Sequence, residues 1–177
     1  LSLDTGEIVK AEIVSVEKGA SGSPGQLKGK FTYTALGAID KNSENGVYSL
    51  LKGKISLSDL TEIALKNEVK DGAAQMLCTI DGGTPKLYAC KIKKRGSAYM
   101  ASTQNLTVTV TDKELLEKTG GIVQGMSGSP LLQNGKLVGA VTHVLIDDPT
   151  TGYGIFAENM LKTAESVTDN TELKKAS

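Results

Sequence analysis

The residues best suited to chemistry lie in Gly125-Met126-Ser127-Gly128-Ser129-Pro130, a G-x-S-G-x-P stretch. A nucleophilic serine must sit on a sharp turn, so that its hydroxyl projects while nearby main-chain N–H groups face the substrate oxyanion. Glycine two positions before the serine permits that turn. Ser127 is therefore the candidate nucleophile, and the amides of Gly125 and Ser127 are the candidate oxyanion donors. Removal of one such donor typically lowers turnover by about 10²–10³-fold.

The pattern occurs a second time, as Gly19-Ala20-Ser21-Gly22-Ser23-Pro24. Context separates the copies. Pro24 is followed by the flexible, basic Gly25-Gln26-Leu27-Lys28-Gly29-Lys30, with no strand to hold a strained elbow. Pro130 is followed by Leu131-Leu132, a tight turn and an apolar strand, the rigid backing that preorganisation requires. Ser127 is the better nucleophile, and Ser21 reads as part of a glycine-serine loop.

The elements that must position Ser127 are mostly short strands. Residues 7–16 alternate as a half-buried strand, 19–29 are a glycine-rich loop, and 31–39 form the next strand. Turn chemistry at 42–46 precedes a strand over 47–51, and 59–67 have helical spacing. Residues 73–80 and 86–92 read as a hairpin around Asp81-Gly82-Gly83, and 99–110 supply one or two further strands. The clearest hairpin joins 130–133 to 136–146 through Asn134-Gly135, a pair suited to a type I′ turn. Pairing Gln133 with Lys136 extrapolates to Thr142 opposite Ser127 and His143 opposite Met126. An amphipathic helix covers 156–167. Together these predict an all-β barrel architecture with a C-terminal helix.

Composition bounds the partners. The 177 residues suffice for one sizeable core or two small sub-barrels. Twenty Lys and Arg balance twenty Asp and Glu, leaving no electrostatic footprint for nucleic acid or an anionic membrane. No apolar run approaches the roughly 20 residues of a membrane span, and the start lacks the features of a signal peptide. Two cysteines and one histidine argue against a zinc site, and no cofactor is expected. Cys78 and Cys90 flank the 81–83 turn, so a cross-strand bridge and two buried thiols both stay open. Lys91-Ile92-Lys93-Lys94-Arg95 reads as a solvated strand end or a processing site.

Gly120-Gly121-Ile122-Val123-Gln124-Gly125-Met126-Ser127-Gly128-Ser129-Pro130, with Gln133-Asn134-Gly135-Lys136, Gly139-Ala140-Val141-Thr142-His143-Val144 and Asp148-Pro149-Thr150-Thr151-Gly152-Tyr153-Gly154, closely resembles the SpoIVB sporulation peptidases. Weaker similarity in Glu17-Lys18-Gly19 and Ala73-Ala74-Gln75-Met76-Leu77 extends it over most of the chain. The resemblance implies a trypsin-like double β-barrel with a C-terminal helix: one peptidase domain over 1–177, with a first barrel over about 1–95 that is incomplete at its N-terminus and a second over about 96–177. It implies a serine endopeptidase secreted from the forespore into the space between the two spore membranes. There it would cut itself and then a membrane-associated regulator, releasing a late sigma-factor programme. Relatives carry a PDZ domain before the peptidase domain, and this chain has no room for one. In trypsin-like enzymes the strand after the nucleophile hairpin pairs with the substrate backbone, which makes Val141, Thr142, His143 and Val144 the candidate substrate-binding edge.

A hydroxyl near neutral pH needs a base to take its proton. Family members carry it in a Gly-His segment, and Ser2-Leu3-Asp4-Thr5-Gly6-Glu7-Ile8-Val9 looks like the sequence that follows that segment. The expectation is a chain trimmed just after its base, inactive or nearly so; loss of a first strand would also leave an edge open to a paired or strand-exchanged dimer. Ala35-Leu36-Gly37-Ala38-Ile39 superficially resembles the same segment with Ala38 for histidine, but lies too far along the pattern. The one histidine, His143, fits a residue of the substrate edge better than the base. Asp112 matches the family's proposed orienting aspartate; its other reading is the cap of a short helix. Asp40 is an outlying candidate for the acid. A competing function is a catalytically dead module that captures peptides along 141–144 by strand addition.

Overall fold

The computed structural model describes residues 6–51, 60–96 and 102–175. Residues 99–101 of an expected strand and Asp59 of an expected helix lie outside them. Among the described residues nine strands and two helices follow in the order β1 (Glu7–Glu17), β2 (Gln26–Ser43), β3 (Gly46–Leu51), β4 (Gly72–Cys78), β5 (Lys86–Lys94), β6 (Leu106–Val110), α1 (Lys113–Thr119), β7 (Pro130–Gln133), β8 (Lys136–Val144), β9 (Thr151–Phe156) and α2 (Ala157–Lys175). No helix among the described residues is long and apolar enough to cross a membrane.

Strict alternation builds the core. β4 turns Ala74, Met76 and Cys78 inward, β5 turns Tyr88, Cys90 and Ile92, and β6 turns Leu106, Val108 and Val110. The register sets these in rows, with Ala74 opposite Cys90 and Cys90 opposite Val110. The ring closes in the order β4-β5-β6-β9-β8-β7, so these side chains fill a small barrel. Burying one such Leu, Ile or Val side chain stabilises the fold by roughly 1.5–3 kcal/mol.

The division expected near residue 95 is not the one found. β4 and β5 are staves of the closed barrel, because β4 pairs with β7 through Gln75–Leu132 and Met76–Leu131. Among the described residues only β1, β2 and β3 stand apart, as an open antiparallel sheet rather than a second barrel. The helix expected over 59–67 is also absent across 60–67. Ile63 instead forms a parallel bridge to Leu137, with Ala64 N–H donating to Leu137 O at 2.9 Å and Leu137 N–H to Glu62 O at 2.8 Å. A helix this short cannot recover its nucleation cost, and pairing with β8 wins.

The β7–β8 turn is as expected, with positive φ at Asn134 (53°) and Gly135 (79°). Cys78 lies opposite Lys86 while Cys90 lies opposite Ala74. That offset is about 13 Å along the strands, too far for a bridge, and both cysteines are buried free thiols. The basic run ends β5, where Arg95 stacks over Tyr153 at 4.1 Å.

Candidate active site

α1 ends at Gly120, whose N–H donates to Leu116 O at 2.9 Å. The chain then runs through the buried Ile122 and Val123 to the loop that carries Ser127. Met126 is 1% exposed and anchors that loop; its N–H donates to Val123 O (3.1 Å) and its carbonyl accepts from Ser129 N–H (3.0 Å). Gly125 (φ 97°) and Gly128 (φ 91°) bracket Met126-Ser127 in a region that side chains disfavour, and so make the elbow. Ser127 projects from it, exposed. The amides of Gly125 and Ser127 donate to no other described residue.

β8 runs beside the elbow. Gly128 N–H donates to Val141 O (2.8 Å), Val141 N–H to Ser129 O (3.0 Å), and the Ser127 hydroxyl to Thr142 O (3.1 Å). The expected register is off by one rung, because a bulge between Leu131 and Leu132 pairs Pro130 with Ala140. The carbonyl of Thr142 nonetheless meets Ser127. A second bulge at Thr142 separates the Val141–Gly154 and His143–Tyr153 pairs on β9, and the Thr142 hydroxyl is tied to Thr103 O at 2.8 Å. Val141 is buried, Val144 packs partly against the core, and His143 is exposed.

A cavity of about 520 Å³ opens at this point. One wall is Ser127, Gly128 and residues 140–143; the other is the β2–β3 turn, with Ile155 and Met160 at its sides. The turn is fastened to α2: Asn45 Nδ2 donates to Thr163 Oγ1 (3.2 Å) and Lys41 Nζ to Ser166 Oγ (3.1 Å). The Tyr48 hydroxyl donates to Asn45 O (3.1 Å), and burial raises its pKa. Sequence reasoning marked 42–46 as a turn but gave no sign that it overhangs the nucleophile.

Asp112 is elsewhere. It caps α1, accepting from Leu115 N–H at Oδ1 (3.1 Å) and from Ala89 N–H at Oδ2 (3.2 Å). It follows β6, which is three strands from β7 in either direction round the ring, and it does not line the Ser127 cavity. Partial burial pushes its carboxyl up, but the N–H groups of Leu115, Ala89 and Glu114 and the charge of Lys86 outweigh that and hold it below the usual carboxylate range. Asp40 accepts from Leu50 N–H at 2.8 Å within the open sheet. Among the described residues no cluster of His, Cys, Asp and Glu is arranged to hold a metal.

What the arrangement can do is present a serine hydroxyl to a cleft, on an elbow whose Gly125 and Ser127 amides no other described residue engages. In comparisons with known proteins, the family model described as SpoIVB peptidase S55 matches residues 1–161. No curated protein and no solved structure matches the chain.

Proposed function

Since the chain belongs to the SpoIVB peptidase S55 family and is thereby a protease, we propose that it is a serine endopeptidase with Ser127 as nucleophile. The observation that carries this is the exposed Ser127 hydroxyl on its two-glycine elbow, beside unengaged amides and a cavity of about 520 Å³. In the reaction a base takes the hydroxyl proton as Oγ bonds to the scissile carbonyl carbon. Negative charge moves to the carbonyl oxygen, where the N–H groups of Gly125 and Ser127 stabilise it. Collapse breaks the C–N bond, the amine leaves with the proton, and water releases the acyl group from Oγ.

The substrate backbone runs along the edge of Val141, Thr142, His143 and Val144 and pairs beyond Val141, whose N–H and carbonyl are held by Ser129 and Gly128. The base is assigned to the Gly-His segment of the family, since the Ser127 hydroxyl has the Thr142 carbonyl as partner and not the His143 ring; without that segment activity is low. Self-cleavage, then cleavage of a membrane-associated regulator in the space between the spore membranes, completes the proposal. Asp112 is read as a helix cap, given where its oxygens are engaged.

A serine-reactive fluorophosphonate tests this. Label at Ser127 in a chain that includes the Gly-His segment, lost in Ser127→Ala, is the expected result; no label in any form overturns it. The bond of the Ser127 hydroxyl to the Thr142 carbonyl, in place of an imidazole, also favours a second reading, a peptide-capturing module. Undiminished peptide affinity with no cleavage by any form would select it.

A further inference from the structure

The second G-x-S-G-x-P copy has no part in the chemistry above, yet its backbone is bound to the segment that carries Ser127. Gly19 N–H donates to Thr119 O at 2.8 Å, and Gly22 N–H to Ile146 O at 2.9 Å. Gln124, the residue before Gly125, is held on both sides: its N–H donates to Gly25 O at 2.9 Å and its carbonyl accepts from Leu27 N–H at 2.8 Å. A Cβ on Gly125 would lie 3.1 Å from Leu27 Cβ, so the Leu27 side chain also lies against the elbow.

The bond to the Gln124 carbonyl has a geometric consequence. In a trans peptide the C=O and the following N–H lie in one plane and point in opposite directions, and no cis peptide occurs among the described residues. Fixing the Gln124 carbonyl toward Leu27 therefore aims the Gly125 N–H away from Leu27. That N–H meets no other described residue. If the same plane turned over, the N–H would point at Leu27 and a carbonyl would occupy the position of an oxyanion donor.

We propose that Leu27 is a positioning residue, whose main-chain N–H latches the Gln124–Gly125 peptide plane so that the Gly125 N–H faces the cleft. This rests on the reading of Ser127 as nucleophile and Gly125 as oxyanion donor. Its substance is that the open sheet, through the first residues of β2, sets the competence of a site built on the barrel.

Two variants separate the N–H from the side chain. Leu27→Pro deletes the donor, and Leu27→Ala keeps it while removing most of the side chain. In the form that labels at Ser127, Leu27→Pro is expected to lower kcat by about 10²–10³-fold, the usual cost of one oxyanion donor, with KM nearly unchanged. Leu27→Ala is expected to retain most of kcat. Should Leu27→Pro not fold, an amide-to-ester replacement at Leu27 made by semisynthesis deletes only the N–H. Equal kcat in the folded Pro (or ester) and Ala variants overturns the latch.

A readout free of catalysis keeps the two readings distinguishable. In the ¹⁵N-labelled chain, the Gly125 amide is expected to give one resonance in Leu27→Ala and exchange-broadened or doubled signals once the donor is lost. A single unshifted signal in both overturns the latch whether or not Ser127 reacts, whereas failure of the wild type to label overturns the nucleophile alone.

Discussion

The Ser127 hydroxyl donates its proton to the main-chain oxygen of Thr142 across 3.1 Å. An amide carbonyl cannot serve as a base, so this bond parks the hydroxyl rather than activating it. The same carbonyl lies on the strand edge where an extended peptide would place an N–H. Ser127→Ala is therefore expected to abolish hydrolysis while peptide affinity, by calorimetry, stays equal or rises. The stability change should stay near the ~1 kcal/mol net value of one hydrogen bond. A marked fall in peptide affinity would contradict this arrangement.

Gly120 and Gly135 share a left-handed backbone (φ 77° and 79°) but differ in surroundings. A Cβ on Gly135 meets nothing within 4 Å, whereas one on Gly120 would come to 2.1 Å from Gly19 O. Gly135→Ala should cost about 1–2 kcal/mol from backbone strain alone. Gly120→Ala should cost clearly more in urea unfolding, because it must also push the 19–25 loop off the barrel. Equal costs would mean that this close approach carries no weight.

The cap at Asp112 predicts a substitution order and a pH dependence. Asp112→Ala should lose about 1 kcal/mol, and Asp112→Asn less, because it keeps the acceptor for Leu115 N–H while giving up the one for Ala89 N–H. The folded carboxyl sits below its ordinary value. Its stabilisation is thus complete above the unfolded pKa of about 3.9 and is lost as pH falls through the lower folded value. Thermal melts below about pH 4 should show wild type losing stability relative to Asp112→Asn; parallel curves would deny the cap its charge.

Burial pushes Cys78 up to about 11, with the Asp112 charge adding to it, and Cys90 up to about 12. Neither is thiolate at pH 8, and neither can reach the other. A disulfide-exchange reagent should find no fast thiol in the folded chain and two after denaturation. Rapid modification of either cysteine in the native state would place it outside the barrel wall.

What the sequence disclosed and what it hid divide along the distance over which the information acts. β4, β5 and β6 were legible because alternation is local, and Asn134-Gly135 because a turn specifies its own φ values. The segment 60–67 misled because its helical spacing competes with a partner far along the chain, the backbone of Leu137. The assignment of β4 and β5 to a first barrel failed for the same reason: β4–β7 pairing leaves no mark within either strand. At the site, the elbow around Ser127 could be read from its glycines. The overhanging 42–48 turn and the grip of the 19–25 loop on Gln124 could not, since both are contacts between segments that show only turn chemistry by themselves.

The closed ring of six strands has no end from which to peel. Its innermost amides should exchange with deuterium together, at the free energy of global unfolding. Among the described residues the β1–β3 sheet is open, tied at its β1 edge by the single Ile13–Gly82 bridge, and Val14, Phe31 and Tyr33 stand in solvent, so little buried apolar area holds it down. Its protection belongs to a lower tier, reached by partial opening that leaves the ring intact. Leu27 sits in that lower tier, and the chain can thus fall silent well before it melts.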